Sequence, residues 1–189
     1  MDNQRTFPWY SLVSADSPLE QGDLLEHFPI PILPEAVADL AWDVEHVSLN
    51  EPIPVERFNL IILTQSCDIV KLTSEDALIL CPRYDYPEIC KVRKNLGGRD
   101  GWSKLVRGHF IGLHILNECQ LAGHTFPHQV VDLQRVFTSP LRVVQKHIRN
   151  LGLRVRLLPP YREHLGEAFA RQFMRVGLPI DLPRDNPYQ

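Results

Sequence analysis

The side chains best placed to do chemistry cluster at Thr64-Gln65-Ser66-Cys67-Asp68, directly after the apolar run Leu60-Ile61-Ile62-Leu63. Polar groups at the end of a buried strand sit on a rigid rim, where a hydroxyl, thiol or carboxylate can face a substrate. Cys67 offers a nucleophile that would need a base, and His109 or His114 could supply one. The alternative is structural: Ser66 and Asp68 cap a turn and Cys67 packs as a small hydrophobe. A zinc reading is weaker still. His124 and His128 have H-x3-H spacing and His109, His114 and Cys119 lie nearby, but His128 follows Pro127 and no C-x2-C completes a ligand set. No metal and no cofactor are expected.

A second group is basic. Residues 1–80 carry a net charge of -11, whereas 135–175 carry +7 within a chain of net -3. Arg154 and Arg156 alternate with apolar residues on a strand, Arg171 and Arg175 are one helical turn apart, and Arg162 lies between these pairs. Together these five arginines could track a phosphate backbone. The plainer reading is that the basic segment faces the acidic one inside the fold, with Glu167 pairing Arg171 at i, i+4. Gly97-Gly98-Arg99-Asp100-Gly101 lacks the Lys-Ser/Thr ending of a phosphate loop and reads as a turn.

The elements that must hold these groups follow from periodicity and punctuation. Residues 58–64 and 77–81 are short apolar runs joined by a polar connector, which predicts sequential antiparallel strands, the second ending at Pro82. Gly22-Asp23-Leu24-Leu25 opens an earlier strand, and Pro29, Pro31, Pro34, Pro52 and Pro54 exclude helix or central strand around them. Good helix formers after Pro34 predict a short helix over 35–42, and a helical turn or two is expected over 87–95. Further strands are expected over 110–116, 129–138 and 153–158, with a helix entered at Ser139-Pro140 and ended by Gly152. Leu165, Ala168, Phe169, Phe173 and Val176 make one stripe on a helix over 161–176, closed by Gly177 and Pro179.

Gly22-Asp23, then Arg57 leading into Phe58-Asn59-Leu60-Ile61-Ile62-Leu63-Thr64, then Ala77-Leu78-Ile79-Leu80-Cys81-Pro82, resembles the PemK/MazF family over residues 20–83. The resemblance implies an SH3-like β-barrel and a metal-independent endoribonuclease of a toxin–antitoxin system. It assigns the catalytic arginine to Arg57 and the hydroxyl to Thr64 or Ser66, at the lip of the barrel. A guanidinium against a scissile phosphate stabilises developing charge, while a hydroxyl positions or relays a proton. The chain departs from the family in its acidic, proline-rich segment before Arg57 (Glu45, Glu51, Glu56) and in Arg83, where a hydroxyl residue usually follows the proline.

The expected fold is therefore α+β: a small, mainly antiparallel SH3-like β-barrel with C-terminal helices. Residues 1–18 read as a loose arm, 19–138 as the barrel, 139–178 as a helix–strand–helix cover and 179–189 as a tail, all in one domain. With 44% hydrophobic and 23% charged residues, disorder and collagen-like order are excluded. The polar start Met1-Asp2-Asn3-Gln4-Arg5 and the short apolar runs predict a soluble, cytoplasmic protein without membrane contact, and its four cysteines read as free thiols. Expected partners are RNA or another nucleic acid, a second copy of the chain, or a protein such as an antitoxin or defence component. In that last case the fold would be a non-catalytic relative.

Overall fold

Leu60, Ile61 and Ile62 are completely buried because their strand is covered on both sides. They end β3 (Val55–Ile62), which lies between β2 (Leu24–Pro31) and β4 (Ala77–Asp85), antiparallel to both. Side chains alternate across a strand, so Leu60 and Ile62 join one apolar core while Ile61 joins another. A computed structural model describes residues 7–33 and 52–174. The helix expected over 35–42, Glu45, Glu51, Arg175, Val176 and the tail 179–189 lie outside the described residues.

The observed class is α+β, with every strand pairing antiparallel. β4 is longer than expected and continues through Pro82. Its first half pairs with β9 (Phe137–Pro140), its last residues with β8 (Gln129–Asp132), and Pro82 falls in the gap where the partner changes. A residue without an N–H is tolerated there because no ladder bond is lost. β8 pairs in turn with β5 (Leu113–Leu116), and the single strand expected over 129–138 is thus two strands separated by a turn. Among the described residues the pairings run as open paths and do not close into a ring.

The N-terminal segment is not a loose arm throughout. Tyr10–Ser14 forms β1, paired along its whole length with β10 (Leu153–Leu157). β10 is tied to the large sheet through an Asp23↔Arg156 bridge. The turn before it depends on Gly22, whose φ of 86° is left-handed and where a Cβ would meet Leu157 at 3.1 Å. The remaining hairpin, β6 (Cys119–Leu121) with β7 (His124–Phe126), contacts β1.

Two helices cover the sheet where sequence periodicity placed them, whereas the segment from Gly98, expected to be a turn, is helical through Val106. α4 (Leu141–Leu151) buries Leu141, Val144 and Ile148 against Leu60 and Ile62, and ends at Gly152 with φ 77°. α5 (Tyr161–Phe173) buries Leu165 and packs Ala168 and Phe169 on the Ile61 core, while Phe173 is 61% exposed, so the stripe ends there. α2 (Tyr86–Val92), a 3-10 turn (Lys94–Leu96) and α3 (Gly98–Val106) form a third layer around Ile89, Leu96 and Leu105. Each buried Leu or Ile contributes roughly 1.5–3 kcal/mol, so the doubly covered stretch Leu60–Ile62 anchors β3 in the fold. No helix among the described residues is long and apolar enough to cross a membrane.

Candidate nucleic-acid interface

A cleft of about 760 Å³ opens along the N-terminal half of β3 and the C-terminal half of β4, with α2 as its far wall. Its shape begins with a defect in β2. Between Leu25↔Leu60 and Phe28↔Phe58 the register slips, so Glu26 and His27 together face Asn59. A bulge of this kind bends the strand and re-aims its side chains. His27 takes the left-handed φ of 51°. The bulge is held from β3: Asn59 Oδ1 accepts the His27 N–H at 3.0 Å, and Arg57 Nη1 donates to the His27 carbonyl at 3.2 Å. Arg57 and Asn59 can do both because residues two apart share a strand face.

The charges in this cleft divide into compensated and uncompensated. Arg83 is buried; it pairs with Glu26, and donates to Gln129 Oε1 at 2.5 Å and to the Leu60 carbonyl at 3.4 Å. Gln129 passes the chain on to Asp85 Oδ1 at 2.8 Å. Arg93 pairs with the buried Asp132 at 2.8 Å. Arg57 and Arg135, both exposed, have no carboxylate partner among the described residues. The Arg135 guanidinium lies 4.7 Å over the Phe58 ring and 5.1 Å over Phe137, and donates to the Tyr84 hydroxyl at 3.4 Å. Behind the bulge, burial pushes the His147 imidazole below its usual range, and the Arg57 and His27 charges add to that push. Its hydrogen bond with the Glu26 carbonyl at 2.9 Å pulls the other way.

Of the residues the sequence singled out, the cleft contains Arg57 but none of the pentad. Thr64 lies seven residues further along the chain, beyond the end of β3, and does not line the cleft. The pentad's hydroxyls are occupied. Thr64 Oγ1 accepts the Ile79 N–H at 2.7 Å where β3 leaves the ladder, and Ser66 Oγ accepts the Gln21 N–H at 3.1 Å. Ser66, Cys67 and Asp68 lie in a single helical turn, α1 (Ser66–Ile69), instead of on an open strand lip. Asp68 pairs with Lys71 at 2.9 Å, and the exposed Cys67 thiol faces Gln65 and, among the described residues, bonds no histidine. Cys67 is therefore neither packed as a hydrophobe nor poised as a nucleophile.

The basic series is also redistributed. Arg154 and Arg156 are 2% and 8% exposed, not a solvent-facing row. Both bind the fully buried Asp23: Arg154 through Nε at 2.8 Å, Arg156 through Nε at 2.5 Å and Nη2 at 3.0 Å. Their other donors reach the carbonyls of Ser14, Ser17 and Pro18 and the Glu20 carboxylate, which Arg162 also holds at 2.8 Å. Arg171 sits 3.8 Å from Glu167 on one face of α5. Arg175 lies outside the described residues. Among the described residues no three His, Cys, Asp or Glu side chains converge as a metal site would need.

Sequence reasoning missed His27, Arg93 and Arg135. His27 enters through a bulge and Arg135 through the β8–β9 turn, and neither carries a local motif. The class this defines is an α+β protein with a cleft on the antiparallel β3–β4 pair, lined by four arginines, three carboxylates and two aromatic rings. No family model matches the chain, and no curated protein matches it either.

Proposed function

We propose that the protein binds single-stranded RNA in the Arg57 cleft. The observation that carries this reading is the pairing of two exposed guanidiniums, Arg57 and Arg135, with the partly exposed rings of Phe58 and Tyr84 in one groove. Phosphates are attracted by the uncompensated cations, and bases stack on the rings; that combination suits a flexible single strand better than a duplex. The PemK/MazF-like resemblance over residues 20–83, with an SH3-like barrel as scaffold, belongs to this reading. In its support, β3 and β4 are antiparallel neighbours as the resemblance requires, and Arg57 lines the cleft.

A second reading, endoribonuclease activity, is favoured by one arrangement: Arg57 Nη1 bonds the His27 carbonyl, and both residues line the same cleft. His27 would take the 2′-hydroxyl proton as that oxygen attacks the adjacent phosphorus. The bond to the 5′-oxygen breaks as that oxygen takes a proton from solvent water, leaving a 2′,3′-cyclic phosphate and a 5′-hydroxyl, while Arg57 stabilises the phosphorane charge. Thr64 and Ser66 take no part in this scheme.

Incubating the full chain with long single-stranded RNA in chelator separates the two. Retarded but intact RNA supports binding alone. Discrete fragments that disappear in both Arg57→Ala and His27→Ala support cleavage. RNA that is neither shifted nor cut at low salt contradicts both.

A further inference from the structure

A second cleft, of about 360 Å³, lies between β1, α3, β5 and α5 and shares no lining residue with the Arg57 cleft. We propose that it is a binding site for a nucleobase ring. The volume is at the lower end of the roughly 300–1,000 Å³ typical of small-molecule sites. Its walls are aromatic and already ordered. Trp9 and Tyr161 stack at 3.6 Å with their planes 8° apart, and Trp102 is held edge-on by Tyr86 and His128, both at 5.0 Å. Rings fixed in this way are platforms on which a further flat ring stacks without losing side-chain freedom.

The polar groups around these platforms select among flat ligands. None of the residues lining the cleft is acidic, and the charges acting on His114 are His164 and Arg171, both basic. A cage for a quaternary ammonium would want the opposite field. Burial, with these two groups, holds His114 down to about 4, so at neutral pH its imidazole offers one N–H donor and one bare nitrogen acceptor. Asn117, which also lines the cleft, adds an amide with both functions. A donor–acceptor pair beside a stacking surface matches the edge of a nucleobase. The basic groups nearby suit the phosphate that a nucleotide carries.

Either a free nucleotide or a base within RNA presents this chemistry. The test titrates the four nucleoside monophosphates, ribose 5-phosphate and a short oligoribonucleotide into the full chain. Tryptophan fluorescence and the side-chain resonances of Trp9, Trp102 and His114 are followed. At least one monophosphate is expected to quench saturably and shift all three residues, ribose 5-phosphate to do neither, and Trp102→Leu to weaken the effect about tenfold or more. Should Trp102→Leu fail to fold, the His114 shift in the unmodified chain still decides the matter. Displacement of the monophosphate by the oligoribonucleotide assigns the site to an RNA base; monophosphate binding without displacement assigns it to a free nucleotide. Arg57→Ala should leave the monophosphate response intact, which separates this site from the RNA cleft. No saturable response at millimolar monophosphate, or an equal response to ribose 5-phosphate, would overturn the proposal.

Discussion

Two groups of arginines in this molecule have the same chemistry and opposite surroundings. Arg154 and Arg156 project from β10 onto a buried carboxylate, Asp23, and onto three backbone carbonyls, so their donors are consumed inside the protein. Arg57 and Arg135 project from β3 and from a turn into an open cleft, where they meet a carbonyl, a hydroxyl and aromatic faces. The first group fastens β1, β10 and the start of β2 together. The second leaves positive charge available to a ligand. What decides between the roles is the carboxylate each group meets, and neither arginine density nor spacing reveals that.

The largest expected effect breaks the buried group. Asp23→Ala leaves two guanidiniums without their counter-charge and should cost about 3–5 kcal/mol in urea unfolding. Arg57→Ala, an exposed change, should move the same curve by less than about 0.5 kcal/mol. The next effect reverses the order. Arg57→Ala should weaken single-stranded RNA binding by about 10–100-fold, the weight of a charge-assisted hydrogen bond of about 1.5–3 kcal/mol, whereas Arg162→Ala, held by Glu20 and Glu163, should leave it unchanged. Arg135→Ala should fall between them, about three- to tenfold, because its cation already rests on Phe58.

The smallest effect sharpens the account of the second cleft. His114 is held down to about 4, chiefly by burial and then by His164 and Arg171. Above pH 6.5 the imidazole is neutral in folded and unfolded chains and adds no pH dependence. Below that, the unfolded chain binds a proton that the folded one refuses, so stability is lost as pH falls from 6.5 toward 4. The cost below pH 4 is on the order of 1–3 kcal/mol. Urea midpoints across this range should fall less steeply for His114→Gln than for the unmodified chain.

Much of the scaffold was legible because its signals are local. The 58–64 and 77–81 runs, the helix between Pro140 and Gly152 and the stripe around Leu165 each announce themselves within a dozen residues, and each is present. Features that depend on distant partners were not legible. Tyr10–Ser14 is a strand only because β10 lies beside it, and Arg154 is buried only because Asp23, 131 residues earlier, meets it. β4 runs past Pro82 because its neighbour changes at that residue, a tertiary fact. The site shows the same division. Arg57 was found through a resemblance, while its companions His27 and Arg135 come from a bulge and a turn whose register no single-chain pattern encodes. The pentad misled because polar residues after a strand serve equally to close it, as Thr64 does for Ile79.

The most direct test of the division between the two arginine groups is a salt titration of labelled single-stranded RNA binding, by fluorescence anisotropy, for the unmodified chain, Arg57→Ala and Arg162→Ala. Each phosphate contact contributes about one to the slope of log affinity against log salt. The slope should become shallower by about one in Arg57→Ala and stay unchanged in Arg162→Ala. Equal slopes for the unmodified chain and Arg57→Ala, or a shallower slope in Arg162→Ala alone, would contradict it.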